Sequence, residues 1–233
     1  MNHGFVKVAA AVPNVQVADC FYNITQIEKL MRKAADKGVQ IMAFPELSVT
    51  GYTCLDLFQQ DLLLNSAETA LLQLAENTAD LPLLAFVGAP LRTDNKLINA
   101  AIAIQEGKIL GVVPKTYLPN YKEFQEKRWF TSSNDLDNDF IEIGDRFYPL
   151  QKQMIIIADE VAVGVEICED LWMPVPPSSE LAMLGANIIV NLSASNELIG
   201  KHAYRKQLVA QQSARCVCGY VYAPAVGDPD NGI

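Results

Sequence analysis

Val161-Ala-Val-Gly-Val-Glu-Ile-Cys168-Glu-Asp-Leu-Trp-Met-Pro174 is the stretch around which the chain is organised. Val161, Val163 and Val165 alternate with small or polar residues and lead into Ile167, the pattern of a buried strand. The apolar run stops at Cys168, and Glu169, Asp170, Trp172 and Pro174 follow. A strand thus delivers a thiol into a turn, where fresh backbone N–H groups surround it, and this is how a nucleophile is presented. The competing account is that Cys168 is a small buried hydrophobe, the commonest fate of a free cysteine. The rest of the chain decides between the two.

Working outward, Met154 to Ala158 pairs with Val161 to Ile167 as a hairpin that leads to Cys168. Beyond the turn, Ser178 to Leu184 predicts a short serine-capped helix. Asn187 to Leu192 predicts a strand running into the polar turn Ser193-Ala-Ser-Asn196, Tyr204 to Cys218 a helix, and Gly219 to Ala223 a last strand. The tail Gly227-Asp-Pro-Asp-Asn-Gly232 consists of turn-formers. Toward the N-terminus, Phe5 to Val12 predicts a strand and Asp19 to Lys37 a helix stopped by Gly38. Val39 to Phe44 is a strand cut by Pro45, Gly51 to Thr53 a turn, Asp56 to Asn77 a helix and Leu83 to Val87 a strand. Segments 98–105 and 109–113 flank Glu106-Gly-Lys108, which has hairpin-turn chemistry. Residues 117–138 show no period, and a loop that long in a compact domain is usually functional. Alternating strands and helices interrupted by two hairpins predict an α/β layered domain with mixed sheets.

Composition narrows the function classes. Of the 233 residues half are hydrophobic, and 27 Asp and Glu against 18 Lys and Arg leave a net charge of −9. Such a chain has no general attraction for nucleic acid or an anionic membrane surface. No apolar run approaches the roughly 20 residues needed to cross a bilayer, and the first residues lack the shape of a signal peptide. Five cysteines without a C-x-x-C pair and two histidines, His3 and His202, argue against a zinc site. Free thiols in a chain without an export signal predict a cytoplasmic protein.

Three polar residues share one kind of address. Glu46, Lys115 and Cys168 each sit just past the C-terminal end of an apolar strand, the edge at which α/β sheets form their sites. An unpaired carboxylate and an ammonium are costly inside a sheet, so they are expected to meet at its rim. Together they suit attack of a thiol on a carbonyl or nitrile carbon, with the carboxylate as proton carrier and the ammonium at the oxyanion. No metal or organic cofactor is required for that chemistry. Taken singly, Glu46 could be a helix N-terminal carboxylate, Lys115 a solvated lysine, and Glu169-Asp170 a solvated turn.

Phe44-Pro-Glu46-Leu-Ser-Val-Thr-Gly-Tyr52 closely resembles the glutamate motif of the carbon–nitrogen hydrolase (nitrilase) superfamily. Val113-Pro-Lys115 with Tyr117-Leu-Pro119 resembles its lysine motif, and Gly164-Val-Glu-Ile-Cys168-Glu-Asp-Leu-Trp172 its nucleophile motif. The resemblance covers almost the whole chain and implies a four-layer α-β-β-α sandwich. Cys168 to Trp172, Leu118 to Phe130 and Asn191 to Ser195 are similar to the glutaminase domains of glutamine-dependent NAD synthetases. What that implies is hydrolysis of glutamine through a thioester. The ammonia then passes to a synthetase domain that uses ATP and Mg²⁺ to amidate nicotinic acid adenine dinucleotide. By the resemblance Glu46 is the general base, Lys115 the oxyanion lysine, Cys168 the nucleophile and Glu126 a second glutamate, with Glu123 as its rival. Tyr121, Phe124, Ser195 and the backbone at Glu169 match glutamine-holding positions, Tyr52 lines the way to an ammonia tunnel, and Lys201 faces the substrate α-carboxylate where an arginine is more usual. For the aromatics the plain alternative is core packing, and for Ser193 and Ser195 turn chemistry.

The superfamily's sandwich runs some tens of residues beyond Ala223, and no synthetase domain is present in residues 1–233. The chain is therefore expected to be a C-terminally incomplete glutaminase domain, and a homo-oligomer as superfamily members are. Two other functions fit the same residues: a free-standing amidase or carbamoylase, and an inactive binding or oligomerisation module.

Overall fold

The computed structural model describes residues 4–158 and 160–225. Strand β1 (Val8–Ala10) is followed by helix α1 (Cys20–Ala35), β2 (Ile41–Ala43), α2 (Asp61–Asn77) and β3 (Leu84–Thr93). The helices carry the chain back each time, so β1, β2 and β3 run parallel. β4 (Lys96–Gln105) and β5 (Lys108–Pro114) then fold on antiparallel, giving the order β1-β2-β3-β4-β5. Glu106 and Gly107 both have positive φ, +48° and +76°, the geometry of a two-residue hairpin turn whose twist matches its strands. A separate hairpin, β6 (Phe140–Ile143) with β7 (Arg146–Pro149), precedes the second sheet.

That second sheet contains β8 (Ile155–Ala158), β9 (Val161–Ile167), β10 (Ile188–Ser193) and β11 (Gly219–Pro224) in the order β11-β10-β9-β8. β8 is antiparallel to β9. β9, β10 and β11 are parallel, joined by crossovers through α3 (Pro177–Met183) and α4 (Lys201–Cys216). Both sheets are therefore mixed, as the interrupted alternation predicts.

Three apolar layers fix the stacking. Ile24, Ile27 and Met31 of α1 and Leu71 and Leu74 of α2 pack on Val87 and Ile102 of the first sheet. The other face of that sheet, with Phe86, Ala101 and Ala103, meets Val163, Val165, Ile167, Val190 and Leu192 of the second. Leu181 of α3 covers Ile189 on the far side. The result is an α-β-β-α sandwich. Small residues let the layers approach: a Cβ on Gly164 would lie 3.0–3.1 Å from Leu181 and Ile189. Each fully buried Leu, Ile or Phe stabilises this arrangement by about 1.5–3 kcal/mol.

Several boundaries differ from the sequence expectation. α2 begins at Asp61 rather than Asp56, because Tyr52–Gln59 winds as 3₁₀ turns broken at Leu55, whose φ is +51°. β1 is three residues long and β3 extends to Thr93. α4 starts at Lys201, three residues before Tyr204. The serine cap at 178 is absent: α3 starts with Pro177, and the Ser178 N–H donates to Glu166 at 2.8 Å. The β6–β7 hairpin was not foreseen. The 227–232 turn-formers lie outside the described residues.

Candidate active site

β2 ends where Phe44 N–H donates to Phe86 O of β3, and Pro45 turns the chain toward Glu46. The backbone of this turn presses on Gly88 of β3: a Cβ there would come within 2.3 Å of Leu47 N and 2.9 Å of the Glu46 carbonyl carbon. Glu46 is almost fully buried. Its Oε1 accepts from Asn99 Nδ2 at 2.7 Å and from Lys115 Nζ, and its Oε2 from Ala194 N–H at 3.0 Å. The carboxylate is thereby locked to both sheets.

Lys115 follows β5 and has no exposed surface. Its Nζ donates to Glu46 and, at 2.7 Å, to Glu126 Oε1. Burial alone would lower the ammonium's pKa, but the charges of Glu126 and Glu46 outweigh it and hold the pKa well above the usual lysine range. Glu126 sits in a short 3₁₀ turn of the 117–138 loop and also accepts from Tyr52 OH at 2.8 Å. Burial pushes its carboxyl up to about 7, aided by Glu46 and opposed by Lys115. Its second oxygen, Oε2, is buried without a hydrogen-bond partner among the described residues.

Cys168 opens the 3₁₀ turn after β9 with φ +47°, a left-handed conformation uncommon for a residue with a Cβ. The surroundings over-determine it. Its N–H donates to Asn191 Oδ1 at 3.2 Å, and its Sγ accepts from Ser193 Oγ at 3.3 Å. Two residues on, Asp170 accepts from Ile167 N–H at 2.9 Å, Tyr117 N–H at 2.8 Å and Thr116 N–H at 3.2 Å. One carboxylate therefore pins the cysteine turn to the chain that has just passed Lys115. Ser193 and Ala194, adjacent at the end of β10, hold Cys168 and Glu46 respectively, so sulfur and carboxylate meet at one corner. Burial raises the thiol's pKa well above its ordinary value; Glu46 adds to the rise and Lys115 opposes it.

Tyr121, Phe124 and Tyr52 follow in contact, edge to face: Tyr52 and Phe124 have ring centroids 6.3 Å apart, Tyr121 and Phe124 5.7 Å. Tyr121 OH donates to the Glu169 carboxylate at 3.0 Å. Lys201 lies 5.1 Å over the Trp172 ring and donates to Asn196 Oδ1, while Asn196 Nδ2 donates to Glu123. Glu126 is thus in the buried cluster with Lys115, and Glu123 stands apart from it beside Asn196. Ser195 is buried immediately after the Ala194 corner. Asn99 and Gly88 are absent from the sequence reading, and Asn191 enters it only within the Asn191 to Ser195 motif; Asp170, expected in a solvated turn with Glu169, is instead buried and accepts through both carboxylate oxygens. Asn99 and Asn191 carried a signal, as lone amides inside otherwise apolar strands. Gly88 carried none, since its meaning lies in a neighbour distant in the chain.

A buried thiol beside an ammonium shared by two carboxylates, on paired strand ends of an α-β-β-α sandwich, defines a class. The carbon–nitrogen hydrolase family model matches residues 7–228, and the chain belongs to that family. Among curated relatives, the glutamine-dependent NAD(+) synthetase of Mycobacterium leprae is 40% identical over 227 residues, 96% of this chain and 33% of the relative. That of Thermotoga maritima is 31% identical over 226 residues, covering 97% and 36%. The chain spans about a third of the length of these relatives. Among solved structures, a glutamine-dependent NAD(+) synthetase from Cytophaga hutchinsonii matches with TM-score 0.84 and 29% identity, over 94% of this chain and 36% of that one. An amidase from Nesterenkonia sp. matches with TM-score 0.75 over 94% of this chain and 75% of its own, and at 16% identity shares the fold alone.

Proposed function

We propose that this chain hydrolyses the side-chain amide of glutamine, as the ammonia-producing part of a glutamine-dependent NAD synthetase. The observation that carries the proposal is the shared corner: Lys115 bridges Glu46 and Glu126, and Ser193-Ala194 joins Glu46 to Cys168. In the proposed sequence Glu46 takes the Cys168 proton and Sγ attacks the amide carbon. The oxyanion is met by Lys115 Nζ and by the Glu169 N–H, in the first turn of a helix, where N–H groups lack helical partners. Collapse expels the amine, protonated by Glu46 to ammonia, and leaves a thioester. Glu46 then activates water, and glutamate leaves. Glu126 keeps Lys115 charged and placed, and its free Oε2 can accept an N–H of the substrate amide. Tyr121, Phe124, Glu169, Ser195 and Lys201 bound the space for the amino-acid end of glutamine, and Tyr52 the exit for ammonia.

All proton carriers in this sequence belong to the chain itself. ATP and Mg²⁺ would act on nicotinic acid adenine dinucleotide in a synthetase portion, in a cytoplasmic and homo-oligomeric enzyme. Among the described residues no helix is long and apolar enough to cross a membrane. The test is ammonia release from a panel of small amides. Preference for glutamine, abolished by Cys168→Ala, supports the proposal. Preference for another amide makes the chain an amidase of different substrate, and no turnover by a folded chain makes it a binding module.

A further inference from the structure

The proposed reaction uses Glu46, Lys115 and Cys168, yet the one direct hydrogen bond that the sulfur accepts from a hydroxyl among the described residues comes from elsewhere. Ser193 Oγ donates to Cys168 Sγ at 3.3 Å, and Tyr222 OH lies 2.5 Å from the same Ser193 oxygen. A serine hydroxyl has one hydrogen. With that hydrogen on sulfur, the Tyr222 hydrogen must point to Ser193, so the chain has one direction: Tyr222 to Ser193 to sulfur. β10 and β11 pair with Ser193 opposite Pro224, and Asn191 opposite Tyr222, which brings the tyrosine up under the cysteine corner. The Arg205 guanidinium stands 6.0 Å over the Tyr222 ring. A cation there draws electron density from the ring and makes its hydroxyl a better donor.

We propose that Ser193 is a further catalytic residue and Tyr222 a positioning residue, which together hold the Cys168 sulfur and stabilise the thiolate when Glu46 takes its proton. No proton travels along this chain. The S–H bond breaks toward Glu46, the electron pair stays on sulfur, and the two hydroxyls strengthen as donors while keeping their hydrogens. The proposal rests on Cys168 being the nucleophile. Other groups act on the same sulfur: Glu46, Glu126, Lys115, Lys201, and the phenols of Tyr52, Tyr121 and Tyr222. Tyr222 in turn faces Cys168, Arg205 and Glu46.

The test is the pH dependence of Cys168 alkylation by iodoacetamide, resolved by peptide mass spectrometry, in the wild-type chain and in Ser193→Ala, Tyr222→Phe and the double variant. Loss of one hydrogen bond to a charged sulfur corresponds to a shift of about one pH unit. Ser193→Ala is expected to raise the midpoint by that amount. Tyr222→Phe keeps the ring against Arg205 and is expected to raise it by less. In the Ser193→Ala background Tyr222→Phe should add nothing, since its path to sulfur is cut. An unchanged profile in Tyr222→Phe overturns the proposal, as does an equal Tyr222→Phe shift with and without Ser193. If Ser193→Ala does not fold, Tyr222→Phe alone decides it. Alkylation needs no glutamine, so glutamine turnover with an unshifted Tyr222→Phe profile removes only the hydroxyl chain, and shifted profiles without turnover remove only the glutaminase proposal.

Discussion

At the scale of single residues the centre of the site is an ammonium held between two buried carboxylates. Removing Lys115 would leave Glu46 and Glu126 buried face to face, and stranding a buried charge costs about 3–5 kcal/mol. Lys115→Met is therefore expected to lower both Tm and ammonia release, the latter by about 10²–10³-fold if the ammonium meets the oxyanion. Glu126 sets a pH dependence. Its carboxyl is pushed up to about 7 by burial. When it is protonated, Lys115 keeps Glu46 as its one charged partner and bonds it more tightly, so Glu46 is less free to reach the Cys168 proton. Activity should accordingly fall as pH drops through about 7, and the pH–rate profile of Glu126→Gln should lose that inflection.

The elements explain why these side chains meet. Three strand ends contribute one reactive group each, and two of these are anchored by residues on a different strand: Asn99 of β4 on Glu46, Asn191 and Ser193 of β10 on Cys168. Asp170 ties the two loops together through three backbone N–H groups. Gly88 of β3 matters because it has no side chain: Gly88→Ala would push a methyl into the backbone at Pro45, Glu46 and Leu47. A displacement near 1 Å can cost about 10² in rate, so this variant is expected to fold with ammonia release reduced to that extent, checked by circular dichroism beside the assay. The strand ends themselves were legible in sequence, because an apolar run that stops at a charged or nucleophilic residue marks a sheet edge. The pairings were not: the amide of Asn99 marks a polar position inside β4 but does not name Glu46 as its partner, and Gly88 gains its role from a turn distant in the chain. The β6–β7 hairpin is local but was hidden by its outward residues Phe140 and Phe147, which are apolar and exposed and blur the expected alternation. The start of α2 moved for a different reason: leucines continue the helical spacing back through Leu55, while Leu55 itself takes a left-handed conformation.

For the molecule as a whole, the four layers place the reactive cluster between two sheets, so its burial and its chemistry are one arrangement. This gives stability its own pH dependence. Glu126 has a folded value above the ordinary carboxyl value of 4.5, so the folded chain holds a proton that the unfolded chain releases. Its contribution is full below about pH 4.5 and is lost as pH rises through about 7. Thermal melts across that window should show Tm falling with pH, and Glu126→Gln should flatten the slope. The layered α/β class could be read from alternating patterns, and the family from three motifs in register. The convergence of Glu46, Lys115, Glu126 and Cys168 could be named from sequence but needed the sandwich to exist in space.

The most direct measurement is covalent labelling of the folded chain with a diazoketone analogue of glutamine, followed by peptide mass spectrometry. The account predicts one label per chain, on Cys168, blocked by excess glutamine and absent from Cys168→Ala. A label on Cys20, Cys54, Cys216 or Cys218, or none at all on a folded chain, would contradict it.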